Sequence, residues 1–112
     1  MGGGGGGGMD MGKLMSLQKK MMEDAEKMQE RLDATTLDGS SGGGMVNASV
    51  DGNGHLLGVT IQKEAVDPED VEMLQDLVVT AVQEALEKAE TMRADEQRKL
   101  MPANIPGIPG LF

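Results

Sequence analysis

The chain has 112 residues, a formal net charge of −9 and an isoelectric point near 4.4. This length allows one domain with a modest core, so a partner subunit would help to bury apolar surface. The absence of Cys, Trp and Tyr excludes disulfides, thiolate metal sites and an aromatic core. No apolar run approaches the roughly 18 residues needed to cross a bilayer, and Met1–Gly8 lacks the features of a signal peptide. We therefore expect a soluble cytoplasmic protein without redox chemistry.

The acidic residues are concentrated in one segment of the chain. Residues 64–90 carry nine acids and a single base, whereas residues 9–34 carry six acids and five bases. Residues 91–101 hold three bases and two acids. Net acidity argues against binding to a phosphate backbone, because that affinity comes largely from Lys and Arg. The uneven distribution nevertheless leaves two segments, residues 9–34 and 91–101, whose basic side chains could bind phosphate.

A long amphipathic helix is predicted after an N-terminal glycine run. Residues 1–8 have almost no side chains to bury and are expected to form a disordered tail. From residue 11 the apolar residues recur at intervals of three and four among good helix formers, which predicts a helix over residues 11–34. Its apolar seam consists of Met11, Leu14, Met21, Ala25, Met28 and Leu32, widened by Met15, Leu17 and Met22.

A small antiparallel sheet of two or three strands is predicted next. Residues 45–51 and 57–61 each alternate apolar and polar side chains on either side of the turn sequence 51–54, which is typical of a hairpin with one apolar face. Residues 35–37 favour a short edge strand. Residues 38–44 are rich in Gly and Ser and are expected to form a turn or loop.

A second long helix is predicted after Asp67, Pro68 and Asp70, which favour a helix start. Apolar spacing continues without Gly or Pro, so this helix could extend to about Lys99. At roughly 48 Å it would be far longer than a small sheet, since a domain of about 100 residues has a radius of gyration near 13 Å. Part of its apolar face therefore needs the first helix or a second copy of the chain. Residues 102–112 are expected to be a flexible Pro- and Gly-rich tail.

This order of elements and several sequence segments resemble the YbaB/EbfC family. The resemblance covers about residues 9–112, with the domain itself placed at 9–101, and implies an α+β fold with a tweezer-like homodimer whose helices project from a central body. It also implies a protein that coats or bridges DNA with limited sequence preference. The matching segments are the Gly-rich start, Leu14-Met15, Met28-Gln29-Glu30, Gly42-Gly43-Gly44-Met45-Val46, Asp51-Gly52 and Glu72-Met73-Leu74-Gln75-Asp76-Leu77-Val78.

Motifs that could carry chemistry favour structural interpretations. Residues 51–54 resemble part of a calcium loop, but the twelfth ligand would be Thr60 and both flanks are strands, which favours a hairpin turn. The Gly cluster at 39–44 lacks the Lys-Ser or Lys-Thr of a phosphate loop. His55 has no second His or Cys with which to share a metal, so we expect a surface residue. Carboxylates at the start of the second helix have no nucleophile nearby, which favours solvated side chains over catalysis; they are Glu69, Asp70, Glu72 and Asp76.

Two features of the first helix bear on binding. Its methionines could form an adaptable binding surface, although helical spacing favours core packing; they are Met15, Met21, Met22 and Met28. Its basic residues begin with a stretch that contains no acid. The topology predicts that this stretch and the end of the second helix project to the same side, with the acidic middle facing away from DNA.

We therefore expect a non-enzymatic homodimer that binds duplex DNA, associates with the nucleoid and has no cofactor, metal site, membrane or small-molecule substrate. The lack of aromatic residues removes a stacking platform for single strands, so phosphate contacts should dominate. The alternative is a protein-interaction adaptor that uses its acidic helix or Met-rich face without DNA. The candidate DNA-binding residues are Lys13, Lys19, Lys20, Lys27, Arg93, Arg98 and Lys99.

Overall fold

The computed structural model describes residues 11–100. Two long helices flank a three-stranded antiparallel sheet, which confirms the α+β prediction. The predicted tails at 1–8 and 102–112, and residues 9, 10 and 101 of the predicted domain, lie outside the described residues. The elements are α1 (Met11–Ala34), β1 (Thr36–Ser41), β2 (Val46–Asp51), β3 (Leu56–Ile61) and α2 (Val71–Leu100), with the strand order β1-β2-β3.

The sheet differs from the prediction in its first strand. Residues 38–41 were expected to form a turn or loop, but they belong to β1 and pair with β2; only Gly42–Gly44 forms a turn, as one short 3-10 helix. Gly39 explains the error, because it lies against the backbone of α2. A Cβ atom at this position would be 2.5 Å from the backbone nitrogen of Ala85. A glycine that marks a loop in the sequence here marks the close approach of a helix to a strand.

The core lies between α2 and the first two strands. Val46, Ala48 and Val50 are fully buried on one face of β2. They pack with three small residues that recur every four positions along α2, namely Ala81, Ala85 and Ala89. Small side chains let the helix approach the sheet closely, so the core is thin. Large apolar side chains on β3 and on most of α1 consequently remain outside it.

The start of α2 lies three residues later than its predicted start. Asp67 accepts a hydrogen bond from the backbone of Glu69 (2.9 Å) and closes a turn that contains Pro68, while Asp70 caps the helix by accepting one from the backbone of Met73 (3.2 Å). The helix then continues for 30 residues, about 45 Å, to Leu100. The length of the predicted helix is thus confirmed, whereas Pro68 lies before it.

Candidate nucleic-acid interface

Helix α1 leaves the body of the protein as a projecting arm. Its C-terminal turn is held by the sheet, since Leu32 is 3 % exposed. Its first half is exposed on every side: among the large apolar residues the exposed fraction is 72 % for Met11, 44 % for Leu14 and 61 % for Met21. Core packing was therefore the wrong interpretation of Met15, Met21 and Met22, which face solvent in the single chain, and only Met28 is half-buried.

The base of α1 is fixed by the turn between β2 and β3. The backbone nitrogen of Gly52 donates a hydrogen bond to the Leu32 carbonyl (2.8 Å), and a Cβ at Gly52 would be 2.7 Å from that same oxygen. The Asn53 side chain continues the contact, because it accepts a hydrogen bond from Gln29 (2.9 Å) and donates one to Asp33 (2.6 Å). A glycine is thus required where the arm meets the sheet.

The same turn is ordered by Asp51. Its carboxylate accepts hydrogen bonds from the backbone nitrogens of Asn53 (2.9 Å) and His55 (3.0 Å), and its second oxygen lies 3.1 Å from His55 Nδ1. The hydrogen bonds from His55 and Asn53 lower the pKa of Asp51 from its ordinary value. His55 itself is exposed, as predicted, and residues 51–54 form a hairpin turn rather than a calcium loop.

An ion pair fixes α1 against the end of α2. The Arg31 guanidinium donates to one Glu96 oxygen, with Nε 3.0 Å away, and the other oxygen lies 3.5 Å from Lys99 Nζ. Glu96 is only 5 % exposed, and its hydrogen bond with Arg31 lowers the pKa of its carboxyl. We call the contacts of Leu32, Gly52, Asn53, Arg31 and Glu96 the anchor of α1.

The anchor was not among the features predicted from the sequence, although the sequence contains one signal for it. Glu96 follows Ala89 by seven residues and Met92 by four, so it occupies a position at which the apolar spacing of α2 calls for a buried residue. A charged residue at such a position indicates a buried partner of opposite charge, because an unpaired buried carboxylate is costly. Arg31 is that partner.

The candidate basic residues fall into two groups. Three of the lysines on α1 recur every seven residues, so they lie along one side of the helix, whereas Lys19 lies on another side; the three are Lys13, Lys20 and Lys27. Lys20 approaches Asp24 at 3.7 Å while 74 % exposed, and an exposed pair of this kind leaves its cation available to a phosphate. We call Lys13, Lys20 and Lys27 the basic stripe.

The basic residues of α2 make more contacts within the protein than the lysines of the basic stripe do. Arg93 is half-buried beside Gly54 and donates a hydrogen bond to the Gly52 carbonyl (3.3 Å), so it supports the turn. Arg98 pairs with Asp95 (3.1 Å) and Lys99 with Glu96 (3.5 Å). These residues lie at the same end of the sheet as α1, in agreement with the predicted topology, but beside its base.

The acid-rich start of α2 lies at the opposite end of the molecule from the arm. Ser41, at the end of β1 that is far from α1, donates a hydrogen bond to the Leu77 carbonyl. Further along α2, Lys88 contacts Asp38 in the middle of β1. Still further along, Glu96 contacts Arg31 of α1. Helix α2 therefore runs from the far end of the sheet toward the arm. Glu72 and Glu96 are separated by about 36 Å of helix. Since charges are screened over about 8 Å at physiological salt, the acids near Glu72 do not cancel the field of the arm.

The residues that the structure describes offer little else as a site. Among residues 11–100 no group of three or more His, Asp or Glu side chains is placed to hold a metal ion. A shallow depression at the start of α2 is lined in part by Asp70, Glu72 and Asp76, which are solvent-exposed as predicted. No helix within the same range is long and apolar enough to cross a membrane.

Comparison with known proteins identifies the family. The model of the YbaB/EbfC DNA-binding family matches residues 6–104. A nucleoid-associated protein of Ruminiclostridium cellulolyticum is 44 % identical over 98 % of this chain and 94 % of its own length. One of Syntrophobacter fumaroxidans is 47 % identical over 91 % of this chain and 92 % of its own. The crystal structure of an uncharacterized Helicobacter pylori protein superimposes with a TM-score of 0.74 at 26 % identity, covering 85 % of this chain and all of that one. The chain therefore belongs to the YbaB/EbfC DNA-binding family.

Proposed function

We propose that this protein is a nucleoid-associated, non-enzymatic homodimer that binds duplex DNA through its α1 arms with limited sequence preference. The observation that carries the proposal is the separation of charge along the molecule. Residues 11–22 carry three lysines and no acid, on a helix that projects from the body. Six of the nine acids of residues 64–90 lie within residues 64–76, at the other end. The names of the relatives, which are nucleoid-associated proteins, support the nucleoid as its location.

The mode of DNA binding follows from the residue types on the arm. Lysines are flexible point charges that contact phosphates without reading bases. Lys13 and Lys27 are about 21 Å apart along the helix, so the basic stripe can contact several phosphates of one groove edge. Lys19 lies on another side of the helix, and Arg98 and Lys99 add charge near its base. Arg93 contributes least, because its guanidinium is bound to the protein backbone.

The experiment that tests this mode is a titration of labelled duplex DNA at several salt concentrations. We expect affinity to fall steeply with salt for the native chain, and the logarithmic slope to decrease by about one for each lysine that no longer binds a phosphate. The double variant Lys19→Glu/Lys20→Glu should bind much more weakly and with a shallower slope. The matched control is Lys63→Glu/Lys88→Glu, which makes the same charge change on the body. Equal losses of affinity for both pairs would contradict the assignment of the arm.

The homodimer is supported by an apolar surface on β3. Val59 and Ile61 pair with Ala48 and Val46 of the core, so they face the same side of the sheet as α2. Helix α2 lies over β1 and β2 and leaves these two side chains 37 % and 41 % exposed. Leu86, on the flank of α2 toward Gly54 in the β2–β3 turn, is 38 % exposed. A second copy that placed its own α2 over β3 would extend the core across both protomers.

Sedimentation velocity tests this surface. Val59→Asp puts a charge into the apolar surface and should give a monomer, because an unpaired buried carboxylate is costly. Thr60→Asp puts the same charge on the other face of β3, where Thr60 pairs with Asn47, and should leave the dimer intact. A native chain that sediments as a monomer, or a Val59→Asp variant that remains dimeric, would exclude this interface.

A protein-interaction adaptor that does not use DNA is the second candidate. The observation in its favour is the nine acids of residues 64–90, many of them exposed at the start of α2. A pull-down with and without nuclease separates the two functions. A specific protein retained after nuclease treatment, together with absence of DNA binding at low salt, would replace the proposed function with the adaptor.

A further inference from the structure

Over residues 11–25 the apolar seam of the α1 arm is uncovered in the part of the chain that the structure describes. Within the seam, Leu14 is 44 % exposed and Met21 is 61 % exposed. Met15, which lies beside them, is 64 % exposed. The row continues outward from the buried Leu32, so it is an extension of a packed surface rather than a set of scattered residues. A contiguous apolar surface of this kind marks an interaction site.

The spacing of the seam matches that of a short antiparallel coiled coil. Its intervals alternate between three and four residues and are the same when they are read from either end of the arm. A second copy of the arm that runs in the opposite direction can therefore match it at every position. The positions of the seam are Met11, Leu14, Gln18, Met21, Ala25 and Met28.

Gln18, the polar residue of the seam, favours one register of such a pair. When Leu14 lies opposite Ala25, the two Gln18 side chains are only about 4.5 Å apart along the helices, and each amide can donate to the other. Sliding the arms together by one heptad separates the two amides by about 15 Å. Sliding them apart by one heptad leaves the seam uncovered beyond Met21. A polar residue within an apolar seam commonly specifies the register in this way.

The charges of α1 favour an antiparallel pair over a parallel one. Residues 11–22 carry three bases and no acid, whereas residues 23–34 carry five acids and two bases. A parallel pair would place the like-charged halves side by side and both bodies at the same end. In the antiparallel pair, Lys13 near the tip of one arm is level with the acidic stretch that contains Asp24 and Glu26 of the other. The opposite charges then attract, and the bodies are apart.

We propose that two α1 arms pack antiparallel along their seams, with Leu14 opposite Ala25 and Gln18 opposite Met21 of the second copy. The bodies lie at opposite ends of this pair, so their β3 strands cannot meet, and the paired arms belong to different homodimers. The symmetry of the pair brings the two basic stripes to the same side of it. Six lysines then form one basic face for phosphate, namely Lys13, Lys20 and Lys27 of each copy.

Arm pairing links homodimers to one another. A homodimer has two arms, so a contact at each of them generates an open chain of dimers rather than a closed assembly. This chain rests on the proposed homodimer, whereas the pairing of two arms does not. The matched seam covers only two and a half heptads, and helical segments this short are marginal on their own. We therefore expect pairing to be weak in dilute solution and to increase with protein concentration.

Thiol cross-linking of the full chain tests the pair, because the chain has no Cys of its own. Leu14→Cys with Ala25→Cys should be joined between chains by a cross-linker of about 8 Å, the distance between packed helices. Within one helix these two positions are about 16 Å apart and out of its reach. The matched control is Ser16→Cys with Glu23→Cys, which has almost the same heights on the outer side of the arm. We expect the seam variant to react about tenfold faster.

Two outcomes of this experiment would overturn the proposal. Equal rates for the seam and control variants would leave the seam to a partner of another kind. Faster cross-linking of Leu14→Cys alone than of the double seam variant would indicate a parallel pair. The reaction contains no DNA, so its result is independent of the titration that tests the phosphate contacts.

Sedimentation velocity over a range of protein concentrations gives a second readout without cysteines. The native chain should form species larger than the homodimer as concentration rises, and Leu14→Asp should not, because an unpaired buried carboxylate is costly. Ser16→Asp, on the outer side of the arm, should behave like the native chain. In Val59→Asp, which lacks the β3 interface, growth should stop at two chains. Growth that is the same in Leu14→Asp and Ser16→Asp would exclude the arm pair and leave the homodimer unaffected.

Discussion

The body and the α1 arm of this protein both contain many apolar residues, but these residues are buried in the body and exposed in the arm. In the body, Ala81 and Ala85 lie against Gly39 with almost no exposed surface, and the contact holds the sheet. In the arm, larger side chains such as Met11 and Met15 are mostly exposed. The difference shows that apolar content does not determine where stability resides. Close backbone approach stabilises the body, whereas the arm depends on its anchor and on what binds it.

The largest effect should come from the close approach at Gly39. In Gly39→Val the side chain would overlap the backbone of α2, which cannot move without separating helix and sheet. We expect a loss of at least about 3 kcal/mol in the free energy of unfolding, measured by urea denaturation. Gly58→Val is the matched control, because a Cβ there meets nothing within 4 Å. A Gly39→Val protein as stable as this control would show that α2 does not hold the body together.

The next largest effect is the difference in stability loss between substitutions at the two ends of the α1 seam. Leu32→Ala removes a buried side chain and should cost about 2–5 kcal/mol. Leu14→Ala makes the same chemical change at a position that is 44 % exposed and should cost less than about 1 kcal/mol. Thermal or urea unfolding of both variants measures the contrast. Similar losses at both positions would mean that the arm is as firmly packed as its base.

A smaller effect concerns the acid side of the anchor. The pKa of Glu96 is lowered below its ordinary value of 4.5 by Arg31, so the folded state binds a proton less readily than the unfolded chain. The stabilisation it provides is fully present above that ordinary value and is lost as the pH falls through the lower folded pKa. The difference in unfolding free energy between the native chain and Glu96→Gln should therefore shrink on acidification below about pH 4.5. A difference that does not change between pH 7 and pH 3 would contradict this role.

Much of the fold could be predicted from local spacing, and most of the site geometry could not. The bounds of α1 and the β2–β3 hairpin follow from periodicity and turn residues, which are local properties. Residues 38–41 were predicted to form a loop because glycine is common in turns. The actual reason for Gly39 is the close approach of α2, which is a tertiary contact that local sequence does not show. The exposure of Met15 was also not predicted. Helical periodicity indicates that one face of the helix is apolar, but it does not indicate whether another part of the protein covers that face. Glu96 shows that an exception to the period can carry information.

The anchor has a mechanical consequence for DNA binding. From Leu32 to Lys13 the arm is about 28 Å long, and the contacts of the anchor lie at one end of it. It therefore acts as a lever whose fulcrum is the Gly52 turn. A tilt of about ten degrees at that turn moves Lys13 by about 5 Å, which is more than the roughly 3.4 Å of duplex axis per phosphate on one strand. Small adjustments at the fulcrum could thus fit the same lysines to duplexes of different curvature.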